Sequence, residues 1–178
     1  MLPSLVLLVA VASGSADEEF APLARNLAAM EKAGLSLNSE VTQALKKRDI
    51  DALHDALAAQ VFLSVTINPE GRVKVARGKS VPRLRQGIAA LALIKVENHS
   101  GATQLLEARG AYTGAKASPF QIQVLSGELK GLPVEYRLAR ITCSQAGKRE
   151  LTIAFQAGQG TQDIGFRGEV PVLFDVGR

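Results

Sequence analysis

Histidine and cysteine are the residues best suited to metal or nucleophilic chemistry, and the chain contains only His54, His99 and Cys143. Protein zinc sites need three or four ligands, usually at short spacings such as H-x-H, H-E-x-x-H or paired C-x-x-C. Neither histidine has a second histidine or a cysteine near it in sequence, so neither belongs to such a motif. We therefore predict that the chain holds no metal and no other cofactor.

Motifs for catalysis are absent as well. The chain has no G-x-S-x-G elbow, and GQGTQDIG at 158–165 lacks the third glycine of a dinucleotide-binding loop. Cys143 lies in the strand-like run EYRLARITCS, where a single cysteine usually serves as a small buried hydrophobic residue. A stand-alone enzyme would need a pocket joining His54 or His99 to carboxylates. The candidate carboxylates are Glu97, Glu135, Asp163 and Glu169. The sequence favours a chain with no catalytic residues of its own and leaves this enzymatic alternative open.

A run of basic residues follows the first strand-like segment and has one acidic residue, Glu70, beside it. The run consists of Arg72, Lys74, Arg77, Lys79, Arg83 and Arg85. Such a patch could attract an anionic glycan, a membrane surface or the acidic helical segment of the same chain. A solvated strand face followed by a linker is the simpler interpretation. The run is the candidate anion-binding or partner-binding patch of this sequence.

Length and composition indicate a single main domain, because 178 residues with 47% hydrophobic residues can bury one good core. The net charge is +4, but aromatic residues make up only 4% of the chain and tryptophan is absent. Surfaces that stack bases are hard to build from such a composition. We therefore predict that the protein does not bind nucleic acid.

The first sixteen residues have the pattern of a secretory signal peptide. An apolar run from Leu5 to Ala12 is followed by small residues, with Gly14 and Ala16 where a signal peptidase requires them. The run is about half the length of a membrane-spanning helix. We predict residues 1–16 to be a signal, cleavage near Asp17, no membrane span afterwards, and a secreted or periplasmic location. A buried N-terminal helix or a retained anchor is the alternative.

Residues 17–60 have helical periodicity and differ in charge from the rest of the chain. They carry eight acidic and five basic residues, a net charge of −3, whereas residues 61–178 carry nine and sixteen, a net charge of +7. Apolar residues recur at helical spacing in three short stretches, with Asn38 or Ser39 placed to cap the second helix and Asp49 the third. His54 falls one position off the apolar stripe of the third helix. We predict that it is exposed or half-buried.

From residue 61 onwards the hydrophobic period becomes two. Alternation over 61–67, the turn sequence NPEG at 68–71 and the run RVKVARG predict a hairpin. Further short strands separated by glycine, proline, asparagine or serine predict a mainly β domain, an antiparallel β-sandwich of the immunoglobulin type or similar, over 61–178. These strands are predicted at 88–97, 103–108, 120–125, 134–143, 150–156 and 170–176.

The apolar positions change parity within 88–97 and within 134–143, which indicates either a β-bulge or a strand buried on both faces. The sequence Asn98-His99-Ser100 matches an N-glycosylation acceptor, although its small polar neighbours are typical of an exposed turn. We favour the turn.

Four segments together resemble the N-terminal, non-catalytic region of secreted CehA/McbA-family metallohydrolases, which carry a PHP-type catalytic domain. These segments are VTINPEGRVKVARG at 65–78, LIKVENHSGAT at 93–103, LKGLPVEYRLARI at 129–141 and AGKRELTIAFQAGQGTQDIGFRGEVPVLFDV at 146–176. In that family, the catalytic domain lies downstream and opens with an H-x-H motif. His54 and His99 lie in no matching motif, so no family ligand is assigned to them.

The resemblance implies an exported, non-catalytic binding or interaction module. Its partner would be a downstream catalytic domain or another exported protein. The alternative implied by the same resemblance is an N-terminal fragment of a metal-dependent hydrolase whose catalytic domain lies beyond residue 178.

Overall fold

The computed structural model describes residues 14–113, 117–158 and 167–178. Residues 1–13 lie outside this range, and with them most of the predicted signal peptide. The described residues form three helices followed by ten strands. The helices are α1 (Gly14–Lys32), α2 (Ser39–Lys47) and α3 (Ile50–Ala58). The strands are β1 (Val61–Ile67), β2 (Val73–Arg77), β3 (Leu84–Arg85), β4 (Ala90–Asn98), β5 (Gln104–Ala111), β6 (Phe120–Leu125), β7 (Glu128–Leu129), β8 (Val134–Cys143), β9 (Gly147–Ala157) and β10 (Arg167–Gly177).

The strands form two five-stranded sheets. One, which we call the helix-covered sheet, has the order β2-β1-β4-β8-β6, and the other, the second sheet, has the order β3-β10-β9-β5-β7. The predicted mainly β fold with a preceding helical segment is confirmed. Both sheets are mixed and not purely antiparallel, because β1 pairs with β4 and β10 with β3 in parallel. The connection from β1 to β4 runs through β2 and β3, and a parallel pair needs a long crossover of this kind.

The main core lies between the two sheets. Phe174 of the second sheet contacts two aromatic rings of the helix-covered sheet, with centroids 5.9 Å from Phe62 and 5.5 Å from Phe120. Aliphatic side chains from nearly every strand complete this core. Cys143 is fully buried within it, and its thiol donates to the Gln145 carbonyl oxygen at 3.2 Å. The predicted burial of Cys143 is confirmed.

The helices pack on the outer face of the helix-covered sheet and form a second core. Leu27, Leu53 and Leu57 are fully buried there against Leu93 and Tyr136. The helical segment therefore contributes a third layer to the fold and shares its core with the sheet.

Local capping places the helix starts where the sequence predicts them. The Asn38 side chain accepts a hydrogen bond from the Val41 amide at 2.9 Å, and the Asp49 side chain accepts one from Ala52 at 3.0 Å. Such caps satisfy amide groups that have no partner inside the helix.

Burial on both faces explains the change of parity in β4 and β8. In β4, Leu91 and Leu93 face the helices, whereas Ile94 and Val96 face the main core. The β4–β8 register runs without a break. Beyond Leu93, the alternate positions of β4 are Lys95 and Glu97, which form an ion pair, so only the core-facing positions remain apolar.

Candidate ligand-binding cleft

A cleft of about 920 Å³ lies between α1, α3 and the segment that leads from β6 into β8. It exists because β6 pairs with β8 only from Leu138 onwards, where Leu125 is its partner. The chain then leaves the helix-covered sheet, and β7 pairs with β5 of the second sheet. Within the described residues, the edge of β8 over 134–137 therefore has no strand beside it on the β6 side.

The cleft is lined mainly by apolar side chains, which account for eleven of its twenty lining residues. The helical segment contributes Pro22, Leu23, Ala29, Met30, Ala33 and Ile50, and the sheet side contributes Leu125, Leu132, Pro133, Val134 and Leu138. Polar groups are interspersed with these, which is the usual composition of a small-ligand pocket.

His54 and Tyr136 form a hydrogen-bonded pair beside the cleft. Nδ1 of His54 lies 2.9 Å from the Tyr136 hydroxyl oxygen, and the rings stack with centroids 5.8 Å apart. Burial, reinforced by the charge of Lys95, lowers the pKa of His54, and burial raises the pKa of Tyr136. Both groups are therefore neutral at neutral pH. When the Tyr136 hydroxyl donates to Nδ1, the imidazole proton lies on Nε2, which makes this nitrogen a donor.

Asn26 fixes α1 to the open edge of β8. Its Nδ2 donates a hydrogen bond of 2.9 Å to the Tyr136 carbonyl oxygen, and the same residue lines the cleft. Arg137 Nη1 donates to that carbonyl at 2.7 Å. The side chains of Asn26 and Arg137 therefore supply the hydrogen bonds that a neighbouring strand would otherwise donate to the Tyr136 carbonyl oxygen.

A buried ion pair holds the loop that forms the opposite wall. Arg137 Nη2 lies 2.5 Å from Glu135 Oε2, with side-chain exposures of 8% and 2%. The Glu135 carboxylate also accepts hydrogen bonds from the amides of Lys130 and Leu132, and Arg137 donates to the Glu128 carbonyl oxygen. Arg137 Nε is buried without a partner in the described part of the chain. A buried pair is costly to desolvate, and here its hydrogen bonds fix the shape of the wall.

Two glycines let this wall pack closely on its neighbours. Gly131 has φ +80°, and a Cβ there would lie 2.5 Å from the Gly101 carbonyl oxygen. A Cβ on Gly127 would lie 2.3 Å from the Leu106 carbonyl oxygen. Because neither glycine has a side chain, the wall can lie this close to β5 and to the loop that precedes it.

The charged residues of the cleft are mostly acidic. Glu18, Glu19, Glu128 and Glu135 line it, against Lys130 and Arg137. Lys130 lies 3.0 Å from Glu128 in an exposed pair, and Arg137 pairs with Glu135. Glu18 and Glu19, both exposed, remain, so the described lining residues carry a net charge of −2, and we call these two residues the acidic mouth of the cleft.

The six residues of the predicted basic patch are all exposed and lie outside the cleft. The structure spreads them along one side of the sandwich, beside β10, and does not gather them at one point. No ion pair joins any of them to an acidic residue of the helical segment within the described ranges.

Two of the carboxylates considered for an enzymatic site are engaged in ion pairs. Glu97 pairs with Lys95 and Glu169 with Arg167. Asp163 and most of the 158–165 loop lie outside the described residues. Among the described members of the set, only His54 and Glu135 line the same cleft, and His99 is exposed outside it. Residues 14–113, 117–158 and 167–178 contain no group of three histidine, cysteine or carboxylate side chains placed to hold a metal ion.

The turn favoured at Asn98 is confirmed. Asn98 is only 3% exposed, and its Nδ2 donates to the Ala102 carbonyl oxygen at 3.0 Å. Its Oδ1 accepts a hydrogen bond of 2.7 Å from the Ser100 hydroxyl. The amide that a glycan would require is therefore engaged within the turn.

The sequence pattern does not identify Asn26 and Arg137, which line the cleft, or Tyr136, which lies beside it. A signal for Arg137 exists in the run VEYRLARITC, where charges alternate with apolar residues in a strand buried on both faces. Asn26 carries no comparable signal, because its partner Tyr136 lies 110 positions away.

Comparison with known proteins gives no family. No protein-family model matches the chain, and no curated protein matches it. Among solved structures, the chain is similar at a TM-score of 0.32 and 13% identity to a crystal structure of the S-layer protein SbsC, domains 4 and 5. That match covers 60% of this chain and 59% of the other. None of the helices in the described part of this chain combines the length and hydrophobicity that a membrane crossing requires.

Proposed function

We propose that this protein is an exported, non-catalytic binding module whose ligand site is the cleft between α1, α3 and the loop that leads into β8. The observation that carries the proposal is the construction of this cleft: an apolar lining whose walls are fixed by Asn26 and by the buried Glu135–Arg137 pair. Its volume of about 920 Å³ is in the range of ligand sites. Export is supported by the signal-like pattern of residues 1–16.

The chemistry of the lining favours a ligand with an apolar body and a positive charge. Apolar side chains from both sides of the cleft make up most of its lining, and burying apolar groups there is favourable. Glu18 and Glu19 at the mouth attract a cation and repel an anion. A short peptide segment of a partner protein, with a lysine or arginine between apolar residues, has both properties. The resemblance to an accessory region of exported hydrolases supports a protein partner.

Three capped tripeptides test the proposal on purified residues 17–178. They have the sequences Leu-Lys-Leu, Leu-Gln-Leu and Leu-Glu-Leu, so that only the charge of the central residue differs. Each is titrated into isotope-labelled protein while amide resonances are followed by NMR. We expect saturable shifts at cleft residues such as Asn26, His54 and Lys130, strongest for the lysine peptide.

Two results would contradict the proposal. Shifts confined to residues away from the cleft would place the site elsewhere. No saturable shift with any of the three peptides would remove the cleft as a peptide site.

A further inference from the structure

Three residues of the predicted basic patch, Lys74, Arg77 and Arg85, lie beside β10 near its start, its middle and its end. Near the start of β10, a Cβ on Gly168 would lie 2.6 Å from the Val73 carbonyl oxygen, so β2 and its Lys74 lie directly against this end of β10. Further along, Arg77 Nε donates to the Pro171 carbonyl oxygen at 2.9 Å. At the end, Arg85 of β3 pairs in register with Gly177. At about 3.3 Å per residue, the distance from Gly168 to Gly177 is about 30 Å.

These basic side chains are available to an external partner. Arg72, Lys74, Arg77, Lys79, Arg83 and Arg85 are exposed, and within the described ranges none of them forms an ion pair. We call these six residues the basic strip. Exposed acids near it are few: Glu70 in the turn before β2, Glu169, which pairs with Arg167 at 3.3 Å, and Asp175, which lies opposite Lys148.

The geometry points to the basic strip as a second binding surface, for a linear anionic glycan that lies along β10. A small anion would contact one or two of these side chains, whereas a chain with repeated anionic groups would contact bases along the full 30 Å or so. Several weak contacts held on one chain act together, so affinity grows with chain length. The strip shares no residue with the cleft, and this inference does not depend on the proposed function.

Heparin serves as the probe, and two variants of residues 17–178 carry the same loss of charge. The strip variant combines Arg72→Ser, Lys74→Ser, Arg83→Ser and Arg85→Ser. The control variant combines Arg25→Ser, Lys32→Ser, Arg109→Ser and Arg140→Ser, which are exposed residues outside the strip. We expect the strip variant to lose about tenfold or more in heparin affinity and the control variant to lose clearly less. Long-range attraction falls equally in both variants, so the difference between them measures the direct contacts of the strip.

The dependence of affinity on the length of the heparin chain distinguishes a linear binding site from general electrostatic attraction. A long heparin chain should bind much more tightly per anionic group than a heparin disaccharide, and the difference should disappear in the strip variant. Equal loss of affinity in the two variants would overturn the inference, since net charge alone would then explain the binding. Strip-dependent binding to phosphatidylglycerol vesicles without heparin binding would overturn it in favour of a membrane surface.

Discussion

Nδ1 of His54 lies 2.9 Å from the hydroxyl oxygen of Tyr136, which joins α3 to β8 through one hydrogen bond. Tyr136 is fully buried and His54 is half-buried, so the bond lies at the interface between the helices and the sheet. Both residues also belong to the side of the fold on which the cleft opens. The protonation state of His54 is therefore linked to the packing of the helices.

Stability should fall when His54 is forced to protonate. Burial and Lys95 lower the pKa of His54 below its ordinary value of 6.5, against the weaker opposing effects of Glu19, Asp51 and Asp55. Below that value the unfolded chain binds the proton more readily than the folded chain, so the free energy of unfolding decreases as the pH falls. It should be constant, as far as His54 is concerned, above 6.5. Urea unfolding of the wild type and of His54→Gln at neutral pH and at about pH 5 measures this contribution. The same pH dependence in both proteins would contradict it.

Removing one partner of the buried ion pair should be strongly destabilising. Arg137→Met leaves the Glu135 carboxylate buried without its cation, and such a loss typically costs about 3–5 kcal/mol. Arg140→Met changes an exposed arginine of the same strand, and it should cost within about 0.5 kcal/mol. Denaturant unfolding measures both. Similar stability of the two variants would mean that the pair does not hold the cleft wall.

The two faces of β2 should differ in their tolerance of polar residues. Val73 is 6% exposed in the main core, whereas Arg72 and Lys74 are exposed. Val73→Asp buries an unpaired charge and should unfold the domain, while Arg72→Ser or Lys74→Ser should cost within about 0.5 kcal/mol. Val75 is only partly buried, so Val75→Asp should have a smaller effect than Val73→Asp. Circular dichroism with thermal unfolding checks the order, and equal tolerance at all these positions would refute this strand orientation.

The helical segment should be required for full stability. Deleting residues 17–58 would expose Leu93, Tyr136 and Leu138, which pack against the helices. Exposing this apolar surface to water is unfavourable, so we expect a clear fall in melting temperature or insoluble protein. An unchanged melting temperature, together with rapid proteolysis of the segment in the intact chain, would make it a tether instead.

The features that depend on local chemistry could be predicted from the sequence. The sequence predicts Asn38 or Ser39 as one cap and Asp49 as another, and Asn38 and Asp49 are the caps, because an N-cap requires only a side-chain oxygen and the next three residues. The bounds of β6 and β8 agree with the predicted 120–125 and 134–143. The prediction that His54 is exposed or half-buried is also confirmed, since it is half-buried and helical periodicity determines its angle to the apolar stripe.

The features that depend on contacts between distant residues could not be predicted from the sequence. Strands β3 and β7 have two residues each, too few for any periodicity to appear. The parallel pairing of β1 with β4 follows from packing of the whole sheet. The cleft likewise depends on contacts such as that of His54 with Tyr136, 82 positions away. The residues on the two sides of the cleft share no sequence pattern that would indicate that they meet.

Filling the cleft tests the proposed binding site most directly. Ala29 is exposed on α1 and lines the cleft, whereas its neighbour Ala28 is exposed and does not. Tryptophan at position 29 should occupy the space that a ligand needs, while tryptophan at position 28 should leave that space open. The two variants are therefore matched in the residue introduced and in the helix that carries it.

The decisive measurement is the affinity of the capped Leu-Lys-Leu peptide for the wild type, Ala29→Trp and Ala28→Trp, each first shown by thermal unfolding to be folded. We expect Ala29→Trp to weaken binding about tenfold or more, and Ala28→Trp to bind as the wild type does. Equal affinity of the two variants, or no binding of the peptide to the wild type, would contradict the cleft as the ligand site.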